Sequence, residues 1–281
     1  MKDIVIIPTF HRPEYLALCL EHLRAAQGER ELEFWVFHDR GSEPDNRSIC
    51  TGARYVERPT HDYIGNPFNF LEAYREAFNT DARFVYLVED DVFVGPDFFR
   101  WQEAVQARRD YFCTIAWHCI RNPQVLPSSD PTAIVETNRD YSSIGVCWRR
   151  ERLASVVQHA TPDYYSNPAG YLKRAFPEST LPLMWSEQAG LIMRVLLQDK
   201  NNLVAWAALP RCAHVGINGY HRRDGYKFTG TLEQRVAALR TASQSTERIV
   251  GLSRTVFDDI AALPTIPEWR AEDIHVVQEF K

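Results

Sequence analysis

Segments with the pattern of buried strands alternate with segments of helical pattern through the first 110 residues. Short apolar runs predict four strands, with the sequences DIVIIP, LEFWVFHD, ARYVERP and RFVYLVEDDVFV. Between the first two, the segment from Glu14 to Ala26 places Leu16, Leu20 and Leu23 on one helical face. IGNPFNFLEAYREAF predicts a second helix, and a third begins at GPD, where Asp97 suits the positive end of the helix dipole. This alternation predicts a mostly parallel sheet with helices on both faces.

The second half of the chain is less regular. YFCTIAWHCI and NNLVAWAALPRCAHVG predict two strands, the latter ending at His214, and a long polar loop is expected over residues 121–139. SSIGVCWRRERLASVV predicts a strand or turn that passes into a helix, and WSEQAGLIMRVLLQ predicts a helix capped by Ser186. Residues 231–263 have a mostly helical pattern and precede an extended tail. We expect one domain over residues 1–230 and a helical C-terminal extension over residues 231–281.

Composition and charge narrow the class of protein. The 281 residues are 45% hydrophobic and 25% charged, as in globular proteins, and the net charge of −5 argues against general binding of a phosphate backbone. The chain contains no run of about 18 apolar residues, so we expect no membrane-spanning helix. The start, MKDIVIIPTF, lacks the segments of a signal peptide, and the six cysteines form no C-x-x-C pair. We therefore expect free thiols and a cytoplasmic location.

Three adjacent carboxylates interrupt the apolar run VYLVEDDVFV. Glu89, Asp90 and Asp91 repel one another if they are buried without a counter-charge, and a hard divalent cation such as Mg²⁺ or Mn²⁺ removes that cost. In a regular strand Glu89 and Asp91 point to one side and Asp90 to the other, unless the backbone turns there. An acidic turn that faces solvent is the alternative. The cluster follows an apolar run, so it predicts a cation site at a strand end.

Two further polar clusters also follow predicted strands. They are Thr9–Arg12 and Asp39–Gly41. In open parallel sheets ligands bind beyond the carboxyl ends of the strands. We therefore expect both clusters to lie beside Glu89–Asp91 and to form one ligand site with it.

Several strings in the chain resemble one family of enzymes. IVIIPTFHRPEYL is similar to the opening of GT-A nucleotide-sugar glycosyltransferases, and VEDDVFVGPDFF resembles the acidic motif of the N-acetylglucosaminyltransferase I family. FHDRG and FCTIAWHCIRN resemble further stretches of that family in the same order, so that the resemblance covers residues 3–150. It implies an α/β fold of GT-A type, with a Rossmann-like, mostly parallel central sheet flanked by helices and a helical C-terminal extension. Residues 1–110 would then bind the nucleotide sugar and residues 111–230 the acceptor.

The resemblance also implies roles for individual residues. Asp39 would bind uracil or ribose, and Asp91 would bind Mn²⁺ or Mg²⁺ directly, while the other residues expected to contact the nucleotide sugar are Pro8, Thr9, Arg12, Glu89 and Asp90. We add Asn69, which follows a helix entrance with Asn66, and Trp117, which is expected beside the sugar. The alternatives are structural: a surface arginine for Arg12, a turn cap for Asp39, helix capping for Asn66 and Asn69, and core packing for Trp117.

A general base and a second metal ligand are predicted from the second half. In MWSEQAG, Glu187 begins a helix beside Trp185 and is the candidate base, although a glutamate there also suits the helix dipole. His214, at a predicted strand end, is the candidate second ligand of the metal or diphosphate, with a structural histidine as the alternative. Nearby positive residues would form a lid over the diphosphate or a solvated loop: His221, Arg222, Arg223 and Lys227.

We therefore expect a metal-dependent, inverting glycosyltransferase that moves a hexose or N-acetylhexosamine from a UDP-sugar to an acceptor hydroxyl. The acceptor remains open among a glycan, a small molecule and a hydroxymethylated DNA base, and retaining chemistry also remains open. A nucleotidyltransferase is one alternative, but PTFHRPEY lacks the glycine-rich loop that such enzymes normally show. A non-catalytic nucleotide-sugar binder is the other.

Overall fold

A computed structural model describes residues 2–10, 12–39, 46–58, 66–117, 130–183, 187–215, 229–242 and 268–280. The strands in these ranges are β1 (Asp3–Thr9), β2 (Leu32–His38), β3 (Arg54–Glu57), β4 (Phe84–Leu87), β5 (Val92–Val94), β6 (Cys113–Ile115), β7 (Ala133–Thr137), β8 (Val146–Arg149), β9 (Val204–Ala207), β10 (Cys212–His214) and β11 (His275–Phe280). The α-helices are α1 (Pro13–Gln27), α2 (Asn46–Ile49), α3 (Asn66–Phe78), α4 (Phe98–Arg108), α5 (Ala154–Val157), α6 (Pro162–Ser166), α7 (Pro168–Ala175), α8 (Gln188–Gln198) and α9 (Leu232–Ala242).

The described strands form one large sheet and one small one. The large sheet has nine strands in the order β11-β7-β9-β6-β8-β4-β1-β2-β3, and β5 pairs with β10 in the small one. Strands β1, β2, β3, β4, β6 and β9 run in one direction, whereas β7, β8 and β11 run in the other. The prediction of a mostly parallel central sheet is therefore confirmed.

Helices cover both faces of the large sheet. Helix α1 begins at Pro13, and its predicted apolar face is confirmed, because Leu16, Leu20 and Leu23 are fully buried in the hydrophobic cluster that also contains residues of α4. A second cluster contains apolar residues of α3 and α8. Each helix contributes an apolar stripe to the core on its own side of the sheet, which is why the strands are buried on both faces.

Two predicted strands are each divided in the structure. The run RFVYLVEDDVFV breaks at the acidic cluster, where the N–H of Val92 donates to the carbonyl oxygen of Glu89 (2.9 Å) and turns the chain out of the large sheet. The run NNLVAWAALPRCAHVG breaks near Pro210, since proline cannot donate to a strand ladder. Their second halves, β5 and β10, pair with each other and place His214 opposite Val92.

Two other predictions from the second half of the chain were wrong. The expected polar loop over 121–139 contains the buried strand β7, whose Glu136 accepts a hydrogen bond from the hydroxyl of Tyr111 (2.5 Å). The tail is extended at β11, as expected, but there it is neither helical nor an appendage, because β11 pairs with β7 at the edge of the large sheet. Helix α9 agrees with the expected helical segment and packs against α1. The domain boundary at residue 231 remains a prediction.

None of the helices in the described ranges is both long enough and apolar enough to cross a membrane. Among the described residues, Cys19, Cys50, Cys113, Cys147 and Cys212 are buried free thiols.

Candidate functional site

Several of the predicted site residues lie along the carboxyl edge of the large sheet. Thr9 ends β1, Asp39 follows β2, Glu89 lies two residues after β4, and Trp117 lies two residues after β6. These four strands run in the same direction, so their carboxyl ends meet at one edge. The expected convergence of the polar clusters is confirmed for their described members, since His11, Arg40 and Gly41 lie outside the described residues.

Arg12 joins the two aspartates of the acidic cluster. Its Nη1 lies 2.6 Å from Oδ2 of Asp91, and its Nη2 contacts Oδ1 of Asp90. The hydroxyl of Thr9 donates to the other oxygen of Asp90 (2.7 Å). The turn after Glu89 brings Asp90 and Asp91 to the same guanidinium, so the alternating arrangement of a regular strand does not occur here. Both oxygens of Asp90 are therefore engaged within the protein.

The small sheet carries His214 to the acidic cluster. The pairing of β5 with β10 continues beyond the strands, because the N–H of Val215 donates to the carbonyl oxygen of Asp91 (2.8 Å). Nε2 of His214 consequently lies 3.4 Å from Oδ2 of Asp91. The other oxygen of Asp91, Oδ1, is buried and has no hydrogen-bond partner among the residues that the structure describes. Such an atom is costly to leave in this state, and a cation or a water molecule bound to it would remove that cost.

The three carboxyl groups differ in their electrostatics. Burial raises the pKa of Glu89 to about 7, and the nearby charge of Asp91 adds to this, while a hydrogen bond from Ser143 (2.8 Å) opposes it. Burial also raises the pKa of Asp90, despite Arg12. Burial acts in the same sense on Asp91, but Arg12 and His214 outweigh it and hold the pKa of Asp91 well below its usual range. Asp91 is therefore the member of the cluster that is most firmly ionised.

The residues around Asp91 fit a divalent cation of the Mg²⁺ or Mn²⁺ type. A firmly ionised carboxylate with a buried, unpartnered oxygen and a nearby imidazole nitrogen offers two protein ligands. Within the described ranges, no three His, Cys, Asp or Glu side chains are grouped so that they could hold a metal by themselves. The described residues therefore offer only part of a coordination shell, to which oxygens of a bound phosphate ligand could add.

The remaining predicted contacts vary in how the structure places them. Pro8 lies within β1, and the N–H of Asp39 donates to the carbonyl oxygen of Thr9 (3.1 Å) at the site edge. Asn69 is buried, and its side chain is engaged within the protein: its Nδ2 donates to the carbonyl oxygen of Phe37 (3.2 Å), and its Oδ1 accepts from Arg58 (3.0 Å). Trp117 is half-buried against the core. The structure favours the structural alternative for Asn69.

Glu187 immediately precedes α8 and is exposed, and its side chain makes no capping hydrogen bond. No described hydrogen bond or ion pair joins it to the acidic cluster, so its catalytic role remains a prediction. Other predicted residues lie outside the described ranges: Trp185, Ser186, His221, Arg222, Arg223 and Lys227.

A buried ion pair that the sequence did not indicate supports the small sheet. Nη1 of Arg211 lies 3.2 Å from Oδ2 of Asp97, both side chains are fully buried, and the indole of Trp269 donates to the same oxygen (3.2 Å). Asp97 directly precedes α4, as expected, but its side chain makes no capping hydrogen bond to the helix. Arg211 directly precedes β10 and accepts a backbone hydrogen bond from Gly95, after β5 (2.8 Å). The pair therefore fixes the sheet that carries His214.

We expect Arg211→Met to destabilise the fold by about 3 kcal/mol, because it leaves the buried carboxylate of Asp97 without its charged partner. Urea unfolding of the variant and the wild type measures the difference. Arg152→Met is the matched control, since Arg152 pairs with Asp110 at the surface, where such a pair contributes about 0–1 kcal/mol. Equal losses in the two variants would contradict the role of Arg211.

No protein-family model and no curated protein matches the sequence. Among solved structures, S. aureus TarS 1–349 in complex with UDP-GlcNAc is similar, with a TM-score of 0.52 and 15% identity over 93% of this chain and 71% of that one. In another TarS 1–349 structure this chain spans 60% of the length, with a TM-score of 0.47 and 15% identity over 74% of this chain. The mannosyltransferase PcManGT from Pyrobaculum calidifontis, in complex with GDP-Man and Mn²⁺, gives a TM-score of 0.45 and 16% identity over 78% of this chain and 59% of that one.

The similarity to TarS at a TM-score of 0.52 concerns the fold. The chain has an α/β fold of GT-A type, as the resemblance in its sequence implied. At 15% identity the similarity does not extend to the activity, the substrates or the residues that act on them.

Proposed function

We propose that this protein is a metal-dependent, inverting glycosyltransferase that uses a UDP-sugar as its donor. The observation that carries the proposal is the carboxylate of Asp91, which has a buried, unpartnered oxygen and lies beside His214 at the ligand-binding edge of the sheet. UDP-GlcNAc is the ligand in the similar TarS structure, and we take the donor class from it. A hexose and an N-acetylhexosamine are both compatible with the proposal.

Each residue of the site has a distinct part in this proposal. Asp91 and His214 would hold a divalent cation, which would supply positive charge to offset the charge that develops on the leaving diphosphate. Thr9 orients Asp90 through its hydroxyl, and Arg12 supplies positive charge at the same place. Asp39 binds the uracil or ribose at the end of β2.

The proposed reaction also needs a general base that activates the acceptor hydroxyl. Glu187 accepts the proton of the acceptor hydroxyl as the hydroxyl oxygen attacks the anomeric carbon and the bond from that carbon to the diphosphate breaks, which inverts the configuration of the sugar. The exposed position of Glu187, without a capping bond, leaves its carboxylate available to a bound acceptor. The acceptor would be a glycan, a small molecule or a hydroxymethylated DNA base, bound by residues of 111–230.

The closer resemblance to the N-acetylglucosaminyltransferase I family and the cytoplasmic location are parts of the same proposal. The first is supported by the order of the E-D-D and P-D-F-F strings, and the second by the buried free thiols.

A thermal-shift screen of nucleotide sugars with and without Mn²⁺ tests the proposal directly. We expect one UDP-sugar to raise the melting temperature with Mn²⁺ and to have little effect in EDTA. A ligand at 100 times its dissociation constant stabilises the folded state by about 2.7 kcal/mol, which such a screen detects. NTPs without a sugar serve as the comparison for a nucleotidyltransferase. Stabilisation by NTPs alone, or by no nucleotide at all, would contradict the proposal.

A further inference from the structure

The guanidinium of Arg12 occupies one side of the carboxylates at the candidate cation site. It contacts Asp90, whose side chain is fully buried, and Asp91, whose side chain is 7% exposed, and it is itself only 21% exposed. Arg12 directly precedes α1, and its position beside Tyr15 (5.3 Å to the ring centroid) keeps it against the protein. The acidic cluster thus already has an internal counter-ion.

The carboxylate of Asp91 would bind both the guanidinium of Arg12 and the cation. Oδ2 is bound by Arg12 at 2.6 Å, while Oδ1 is the buried oxygen without a partner. A cation held by Asp91 would therefore lie beside a guanidinium that never loses its charge. The cation and the guanidinium of Arg12 would be bound to the two oxygens of one carboxylate, so they would repel each other. The repulsion is strong in a poorly solvated site. A diphosphate carries the negative charge that would offset it.

We propose that Arg12 makes cation binding at Asp91 depend on the nucleotide diphosphate. In the free protein the guanidinium of Arg12 neutralises Asp90 and Asp91 and disfavours the binding of a metal ion beside it. When a nucleotide diphosphate is bound, its negative charge satisfies the guanidinium and the cation together, so each ligand raises the affinity for the other. This inference rests on the proposed function, and it assigns the coupling between the two ligands to one side chain.

Binding of Mn²⁺ alone tests the inference without any measurement of activity. Free Mn²⁺ is followed by electron paramagnetic resonance in titrations of the wild type and of Arg12→Gln, each with and without UDP. We expect UDP to raise the Mn²⁺ affinity of the wild type by about tenfold or more, within the usual range for coupled sites. We expect Arg12→Gln to bind Mn²⁺ at least about tenfold more tightly than the wild type when UDP is absent, and to lose most of the effect of UDP.

The matched control is Arg83→Gln, which removes an exposed arginine that pairs loosely with Asp3 (3.6 Å) and should leave the Mn²⁺ affinity unchanged. If Arg12→Gln does not fold, the double variant Arg12→Gln/Asp90→Asn removes one charge of each sign and leaves Asp91 in place. We expect this double variant also to bind Mn²⁺ without UDP.

The outcomes separate the inference from the proposed function. If the wild type binds UDP with Mn²⁺, but the Arg12 variants gain no affinity for Mn²⁺ alone, the inference is wrong and the proposed function stands. A wild type that binds Mn²⁺ equally well with and without UDP also overturns the inference. A wild type that binds UDP equally well in EDTA removes both the metal dependence and the coupling.

Discussion

Asp91→Asn should reduce the affinity for UDP in Mn²⁺ to the value that the wild type shows in EDTA, and should lower glycosyl transfer by about 10³-fold or more. Asp91 supplies the buried, unpartnered oxygen of the site, and Arg12 and His214 keep its carboxyl ionised. Asparagine has the same shape but no charge, so it cannot replace a hard anionic ligand. A metal ion contributes several kcal/mol to the stabilisation of a transition state, which corresponds to a loss of this size.

Isothermal titration calorimetry with UDP, in Mn²⁺ and in EDTA, measures the effect of this substitution. Asp163→Asn is the matched control, because Asp163 makes an exposed ion pair with Arg174 far along the chain from the acidic cluster. The control should bind UDP as the wild type does. Unchanged affinity in Asp91→Asn would show that the cation is held elsewhere or is not used.

The local pattern of the first half was sufficient to predict which polar residues meet at the carboxyl edge of the sheet. Apolar runs gave the strands, and the polar residues that follow them were expected at one edge because the strands are parallel. This reasoning placed Thr9, Asp39 and Glu89 correctly. It depends only on neighbours in the sequence and on the direction of the strands.

Contacts between distant parts of the chain were harder to predict. Arg12 is separated from Asp90 and Asp91 by nearly 80 positions in the sequence. No periodicity specifies which arginine contacts these two aspartates. The strand β7 was missed because Glu136 interrupts its apolar pattern, and only the structure shows that Tyr111 and Arg109 satisfy that carboxylate. Asn69 is a different case, since its type suggested a ligand contact, whereas in the structure its side chain contacts Phe37 and Arg58.

The turn after Glu89 explains how a site arises where the sequence predicts a continuous strand. Three adjacent carboxylates in a sheet would face both layers of the core, where each charge would need a partner. The chain instead leaves the large sheet and pairs β5 with β10. One consequence is that Asp91 and His214, which are 123 positions apart, become neighbours at 3.4 Å. The prediction of His214 from its strand-end position therefore has a geometric basis that the sequence could not supply.

Glu187→Gln should lower turnover by about 10²–10⁴-fold while the affinity for the donor stays unchanged. Glutamine keeps the size of the side chain but cannot accept a proton, so only the step that activates the acceptor hydroxyl is lost. The exposed side chain at the start of α8 makes no capping bond, and its substitution should leave the fold intact. Donor affinity is measured by calorimetry with UDP and Mn²⁺, and turnover with the UDP-sugar that the thermal-shift screen selects.

Glu178→Gln is the control for this substitution, since Glu178 is an exposed glutamate that precedes α8 and has no proposed role. Turnover near that of the wild type in both variants would place the base on another residue, and a parallel loss of donor affinity in Glu187→Gln would indicate a role in binding. Absence of turnover in the wild type with every donor that binds would favour a non-catalytic binder of nucleotide sugars. Turnover by the wild type therefore distinguishes catalysis from recognition at the edge formed by Asp91 and His214, and the separate effects of Glu187→Gln on binding and turnover test Glu187 as the base.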